Sequence, residues 1–408
     1  MTPWTDLRSH GAWLQTEFRR LLDFGLKAGL PDGGAGYLDD RGEVDPTQGV
    51  QTYITARMAH VYCLGAMSGI PGCVPVADAA LAGLSGRLAD EESGGWFHGL
   101  LPDGTPDVNA GKSCYDHAFV LLAASTAVAA GRPSGTALLE RASDTFLRHF
   151  WDDDEGLVID TWDCGFTHPD DYRGLNATMH SVEAMLSVAS VVGGGAADEW
   201  LDRVDRAARF VCELADDYDG RLPEHFGPGW TPRLELNKDH PDDQFKPYGA
   251  TPGHGLEWSR LLLHTQAALG GGDEELLSAA MRLFDRAVTD GWDADGAPGF
   301  VYTTDWDGTP VVRDRMHWVV AEAINAAAVL YRRTGEALYA EWYAAWWDYA
   351  SQYLMDRTGG SWWHELDSSN RPAATVWPGK SDLYHAAQAT LVPVLPAWPM
   401  VAAALRDL

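Results

Sequence analysis

Six histidines stand where this chain could do chemistry: His60, His117, His180, His254, His317 and His385. Each opens an apolar run with helical spacing, so all six hold an equivalent place in a recurring pattern. Glu183 follows His180 by three residues, Glu257 follows His254 by three, and Glu322 follows His317 by five. Residues three apart share a helix face, so such a pair bonds locally or offers both groups to one ligand. A carboxylate beside an imidazole raises its pKa and fixes its tautomer, which suits it to acid–base work near neutral pH. His254 and His385, from different segments, are placed to face each other across a cavity and to move protons on and off adjacent carbons. Arg57 and Lys380 would be donors to oxygens that develop negative charge. Trp318, Trp377 and Phe119 would offer apolar ring faces to ligand C–H groups. Two or three of the six histidines are expected to hold structure instead.

A metal site is the rival use of clustered His and Glu. No HExxH occurs, and the histidines come singly from separate helices, so no metal is expected. No GxxxxGK[ST] is present, and no GxGxxG follows a strand. No nucleotide, flavin or other cofactor is therefore expected.

The elements that must carry these side chains repeat. Glycine turns open short, often aromatic segments: GAGYLDD from Gly34, GGWFHG from Gly94, EGLVID from Glu155, DGRLPEHF from Asp219, GAPGFVYT from Gly296 and GGSWWHEL from Gly359. They recur roughly every 60 residues, the mark of a repeat architecture. After each comes a polar loop, an apolar helix, then a helix with one charged face. The first helix type should be buried and the second external. Six of each, with an outer helix at Leu7 to Ala28 first and an inner helix last, predict an all-α (α/α)6 barrel with short β segments. The open solenoid is the less favoured arrangement. The whole chain, 1–408, is then one catalytic domain, against a length-based expectation of two to three. The stretch from Arg221 to Gly253 is longer than its counterparts and predicts a long loop at the cavity mouth, a lid or specificity loop. Arg233, Asn237, Lys238 and Phe245 are its candidate ligand contacts.

Composition narrows the partners. The formal net charge is −29, a field that repels phosphate backbones and anionic lipid, so neither nucleic acid nor membrane is an expected partner. The most apolar stretch, Leu391 to Leu405, carries Pro393, Pro396 and Pro399 and does not read as a membrane span. The five cysteines are scattered and include no CxxC, which fits a reducing, cytoplasmic setting. No apolar core of a secretion signal is read in MTPWTDLRSHGAWLQTEFRR. A homo-oligomer is compatible with the sequence, which does not set the number of copies.

Taken together, the segments TARMAHVY (55–62), YDHAF (115–119), NATMHSVEA (176–184), TPGHGLEWSR (251–260), HWVVAEAINA (317–326) and WPGKSDLYHAAQA (377–389) resemble the N-acylglucosamine 2-epimerase family over nearly the whole chain. The likeness is greatest to its bacterial aldose–ketose isomerases. The resemblance implies an (α/α)6 barrel and a monosaccharide substrate. It implies cofactor-independent interconversion of D-mannose and D-fructose, with D-lyxose and D-xylulose as a second pair, through a cis-enediol. In this reading Arg57 binds the sugar oxygens near C1 and C2, and Asn176 and His180 hold hydroxyls. His254, supported by Glu257, is one acid–base group and His385 the other. Glu322 and Trp318 line the pocket, with His117, Phe119, Trp377, Lys380 and Arg233 as further substrate contacts. The disaccharide-acting epimerases of the family carry a Trp pair where this chain has His317-Trp318, which favours a monosaccharide and isomerisation. The alternatives are a sugar 2-epimerase, a sulfoquinovose-type isomerase, a glycoside hydrolase on the same barrel, which needs two flanking carboxyl groups, and a non-catalytic sugar-binding protein.

Overall fold

A computed structural model describes residues 2–408. Thirteen helices are named here in chain order. The outer ones are α1 (Arg8–Phe24), α3 (Cys73–Ser85), α5 (Gly135–Thr145), α7 (Gly195–Asp217), α9 (Glu274–Gly291) and α11 (Ala337–Tyr349). The inner ones are α2 (Thr52–Met67), α4 (Cys114–Ala129), α6 (Leu175–Ala189), α8 (Pro252–Ala268), α10 (His317–Thr334) and α12 (Tyr384–Leu391). A short α13 (Val401–Arg406) follows. Each inner helix packs on the next, and α12 packs back on α2, so the ring closes. The fold is an (α/α)6 barrel.

The two helix types differ as their sequences require. In α2 every residue from Thr52 to Gly65 is buried, because this helix is packed on all sides. In α7 only one stripe is buried, including Trp200, Val204, Ala207, Ala208 and Val211, and charged residues cover the rest.

One rim is stitched by short antiparallel pairs. Each joins the residues just before an inner helix to the hairpin of the next segment: Val50–Gln51 with Gly99–Leu100, Lys112–Ser113 with Thr161–Trp162, Arg173–Gly174 with His225–Phe226, and Arg315–Met316 with Glu365–Leu366. A single bridge, Ala250 with Thr304, does the same before α8. These pairings hold the inner-helix N-termini at one end, with five of the six histidines in the first two turns and His60 deeper, midway along α2. Gly49, Gly111 and Gly249 precede three of these junctions with positive φ. A Cβ on any of them would strike a carbonyl of the next hairpin, that of Leu100, Trp162 or Thr304 respectively. Basic residues clamp the hairpin turns. Lys112 Nζ donates to Asp90 (2.7 Å) and the Gly94 carbonyl (2.6 Å), and Lys380 Nζ donates to Asp356 and the Gly360 carbonyl (both 2.7 Å). Arg315 closes on Asp295 in the same way, at 2.7 Å.

The opposite end is plugged by the C-terminal segment, where the sequence places no element beyond the last inner helix. Pro393 stops α12 after eight residues. The chain then crosses beneath the ring. Nδ1 of His264 meets the Ala397 carbonyl at 2.6 Å, the Met400 amide donates to Ser190 Oγ at 3.0 Å, and α13 packs under α2, α4 and α6. The barrel is therefore a cup with one open mouth.

Candidate active site

The mouth leads into a cavity of about 650 Å³. Among the residues lining it are Arg57, Asn176, His180, His254, Glu257, Trp318, Trp377 and His385, from all parts of the chain. Pro252 at the first position of α8 and the extended Thr251 before it put His254 in the first turn of that helix. His385 is the second residue of α12. The Trp318 ring neighbours both, with centroids 5.1 Å from His254 and 5.8 Å from His385.

Each of these two imidazoles has a carboxylate at Nδ1. Glu322 Oε1 is 2.8 Å from His385 Nδ1. Glu224 Oε1 is 2.9 Å from His254 Nδ1, somewhat off the line of an ideal hydrogen bond. At His385 the carboxylate accepts, so the proton sits on Nδ1 and Nε2 keeps its lone pair; at His254 the two atoms are close without forming a hydrogen bond. Burial pushes the His385 imidazole well below its ordinary value, with the Arg57 charge adding to the effect. It is a neutral base at pH 7. His180 lies 6.5 Å from His385 between ring centroids, and burial lowers it to about 4.

Arg57 is the cationic arm. It donates to Asp382 (3.0 Å) and Tyr115 (2.7 Å), and its guanidinium lies 4.3 Å from the Phe119 ring centroid. Burial opposes its charge, but Tyr115 and Asp382 outweigh burial and hold the guanidinium protonated. Burial likewise works against the Asp382 carboxylate, yet Arg57 keeps it below the usual range.

Beneath the imidazoles lies a buried charge cluster. Arg260 reaches Glu322 (2.8 Å), Glu183 (3.2 Å) and Glu257 (3.3 Å). One guanidinium cannot neutralise three buried carboxylates, so the cluster retains protons. Burial and the neighbouring Glu322 push Glu257 well above the carboxylate range, and burial also raises Glu322. Burial works against the Glu183 carboxylate too, but Arg260, His180 and a hydrogen bond from Tyr384 hold it well below that range. The groups His180–Glu183–Glu257 and Glu257–Glu322–His385 come close enough together to hold a divalent ion. Their carboxylates are already engaged by Arg260, so the donor set fits a built-in cation better than a metal. The same engagement takes Glu183, Glu257 and Glu322 out of the carboxyl pair that would have to flank a glycosidic bond.

Several candidates fall elsewhere. Lys380 is fully buried in its hairpin clamp and does not line the cavity, because the geometry that Lys112 repeats turns its ammonium outward to Asp356. His117 Nδ1 meets the Ser113 carbonyl (2.7 Å) and its Nε2 accepts the Trp96 amide (3.0 Å), which leaves it nothing to offer a ligand. Phe119 stands behind Arg57 and His180 rather than in the lining. His60 sits deeper, with Nδ1 on Thr126 Oγ1 at 2.7 Å. Glu257 does not support His254: it lies one helical turn deeper, beside Arg260 and 3.8 Å from His180. Glu322 lies behind His385, not in the lining, and pairs with neither its own-helix His317 nor the ligand space. In the long loop, Gln244, Phe245 and Pro247 line the mouth; Gln244 Nε2 donates to the Val376 carbonyl across it, at 3.1 Å. Asn237 holds the loop through the Lys246 carbonyl (2.7 Å), Lys238 pairs with Glu235 on the surface (2.6 Å), and exposed Arg233 packs by Gly227 outside the cavity.

Glu224, Asp382, Tyr115, Tyr302 and His364 are lining or supporting residues that the sequence does not single out. Asp382 stands inside the KSDLYH segment, which is the one signal that could have found it. Asn176 and Trp377 line the cavity, and Asn176 Oδ1 and Trp377 Nε1 are buried there with no partner in the protein.

The profile of the N-acylglucosamine 2-epimerase (GlcNAc 2-epimerase) family matches residues 33–389. The chain belongs to this family. It is 47% identical to the D-mannose isomerase of Thermobifida fusca, over 99% of both chains. Its structure is similar to a crystal structure of D-mannose isomerase, with TM-score 0.85, 27% identity, and coverage of 94% of this chain and 97% of that one. The cellobiose 2-epimerase of Spirochaeta thermophila shares the fold, with TM-score 0.80 at 21% identity over 95% and 98% of the two chains. Among the described residues, no helix of this family member is long and apolar enough to cross a membrane.

Proposed function

We propose that this chain is an aldose–ketose isomerase interconverting D-mannose and D-fructose, with D-lyxose and D-xylulose as a second pair. The observation that carries the reading is the pair of imidazoles, His254 and His385. Each has a carboxylate within 2.9 Å of Nδ1, hydrogen-bonded at His385, and both sit in one cavity with Arg57. Identity to D-mannose isomerases over the full chain supports the same substrate.

The mechanism follows from what these groups can hold. One imidazole assists opening of the pyranose ring, moving the O1 proton while the ring oxygen is protonated. An imidazole Nε2 then takes the proton from C2 as electrons move through C1=C2 to O1. Arg57 and the donors beside it stabilise the charge on O1, as an oxyanion site does. A proton passes from O2 to O1 through a neighbouring imidazole, and the imidazolium then gives a proton to C1 as the C1=C2 electrons take it up, which leaves a hydroxyl at C1 and the carbonyl at C2. Nothing is oxidised overall, and one hydrogen changes carbon. The residues supply every proton transfer, so no metal or organic cofactor is assigned. Delivery to the other face of C2 would give the epimer, and cavity geometry decides between the two. We read the whole chain, 1–408, as a single catalytic domain acting in the cytoplasm on a free monosaccharide.

The test is product analysis after separate incubation with mannose, lyxose, fructose, glucose and cellobiose. Mannose giving fructose supports isomerisation. Mannose giving glucose, or cellobiose giving its 2-epimer, would replace this reading with epimerisation.

A further inference from the structure

The cavity has an acceptor wall that the proton-transfer residues do not explain. His364 comes from the hairpin of the GGSWWHEL segment, is 5% exposed and lines the cavity. Its Nε2 is 3.2 Å from the Asp382 carbonyl oxygen. A carbonyl cannot donate, so Nε2 carries the proton and Nδ1 keeps a lone pair. The carbonyl of His364 accepts the backbone amide of His317 (3.0 Å) and its Nδ1–H (3.3 Å). His317 therefore also keeps its lone pair on Nε2, which has no partner in the protein. The two rings stack with centroids 3.9 Å apart at 10°, and the His317 ring is 6.5 Å from that of His385. Burial keeps both imidazoles neutral: His364 is lowered to about 3, and His317 falls well below its ordinary value.

A neutral wall fixed in its acceptor tautomers needs a donor opposite it. An alcohol provides one. A carboxylate, phosphate or sulfonate would set acceptor against acceptor and leave both unpaired, which costs more than a missing contact. We propose that His364 is a binding residue whose Nδ1 accepts a hydrogen bond from a substrate hydroxyl, with His317 stacked behind it to fix the ring. The wall thereby selects neutral polyhydroxy sugars over sugars carrying an anionic group at that position. This inference rests on the aldose reading above.

The test crosses protein variants with deoxy substrates. Wild type, His364→Phe and His364→Asn are assayed on D-mannose and on 3-, 4- and 6-deoxy-D-mannose. Phenylalanine keeps the stack and loses the acceptor, whereas asparagine Oδ1 replaces Nδ1. One deoxy sugar should lose roughly tenfold or more in kcat/KM with wild type. His364→Phe should lose a similar factor on mannose and no further factor on that deoxy sugar. His364→Asn should restore the discrimination. If the losses from His364→Phe and from every deoxygenation simply multiply, the proposal is wrong. A wild type that leaves mannose untouched would overturn the aldose reading instead. A second measurement needs no stability in the phenylalanine variant: the 15N resonance of His364 Nδ1 in the wild-type protein. Saturating D-mannitol should move it, and an unmoved resonance in a mannitol-bound protein would overturn the proposal.

Discussion

Glu322 Oε1 lies 2.8 Å from Nδ1 of His385, although the two residues are 63 apart in sequence and on different helices. The other oxygen of Glu322 is held by Arg260 Nε at 2.8 Å. The carboxylate is thus fixed at both ends, and the His385 ring takes its orientation from the buried cluster below it. Glu322→Gln keeps the shape but weakens the acceptor. It should lower kcat on the order of 10- to 100-fold with little change in KM. His385→Ala removes the base itself and should cost roughly 10²–10⁴-fold. Steady-state kinetics on mannose checks both, and near wild-type kcat in His385→Ala would sink the assignment.

Glu224 is the carboxylate beside His254 Nδ1, at 2.9 Å, as Glu322 is beside His385, although only the Glu322 pair is aligned as a hydrogen bond. Glu224→Gln should therefore lower kcat on the order of 10- to 100-fold by releasing the Nδ1 tautomer. Glu257→Gln should not reproduce the tautomer effect, because Glu257 meets Arg260 and not His254. The discriminating measurement is the 15N spectrum of His254 in each variant. A tautomer change on replacing Glu257 but not Glu224 would reverse the assignment.

Lys380 is a clamp and not a ligand contact. Its ammonium is buried against Asp356 and the Gly360 carbonyl. Lys380→Met leaves that carboxylate buried without its partner, which should cost about 3–5 kcal/mol of stability. Urea unfolding checks this, with KM for mannose unchanged in the folded fraction. A raised KM at full stability would return Lys380 to the substrate.

Much of this arrangement is legible in the order of residues alone. The glycine turns and helical apolar runs place six inner helices, and four of the six histidines, His180, His254, His317 and His385, mark the cavity at their N-terminal ends, whereas His60 lies midway along α2. Side-chain partnership is less legible. The HxxE spacing suggests partners on one helix, yet a residue three positions on lies about 4.5 Å further along the axis. Glu257 thus belongs to the level of Arg260, and the carboxylate for His254 comes from a rim hairpin. Such hairpins have no periodicity from which Glu224 or His364 could be read, and Asp382 stands in the irregular stretch just before α12. Lys380 and Arg57 are both basic residues near inner helices. Only the repeated geometry of Lys112 with Asp90 shows that Lys380 faces the hairpin.

Stability should fall as the solution is acidified through the histidine range. His60, His117, His180 and His264 are lowered to about 4 by burial, from 6.5. Between those values the unfolded chain binds protons that the folded chain does not. Their contribution is complete above pH 6.5 and is lost progressively as pH falls towards 4. Urea midpoints measured from pH 7.5 to 4.5 should show this decline. A flat profile across that interval would mean the histidines are not buried in the neutral form.

The most direct measurement of the central claim is the fate of hydrogen at C2 and C1 when mannose is isomerised in D2O. Proton transfer by His254 and His385 predicts solvent deuterium at C1 of the fructose formed. It also predicts a primary isotope effect with [2-²H]mannose. Complete transfer of the C2 hydrogen to C1 with no solvent deuterium, in a reaction that a chelator stops and a divalent ion restores, would contradict it.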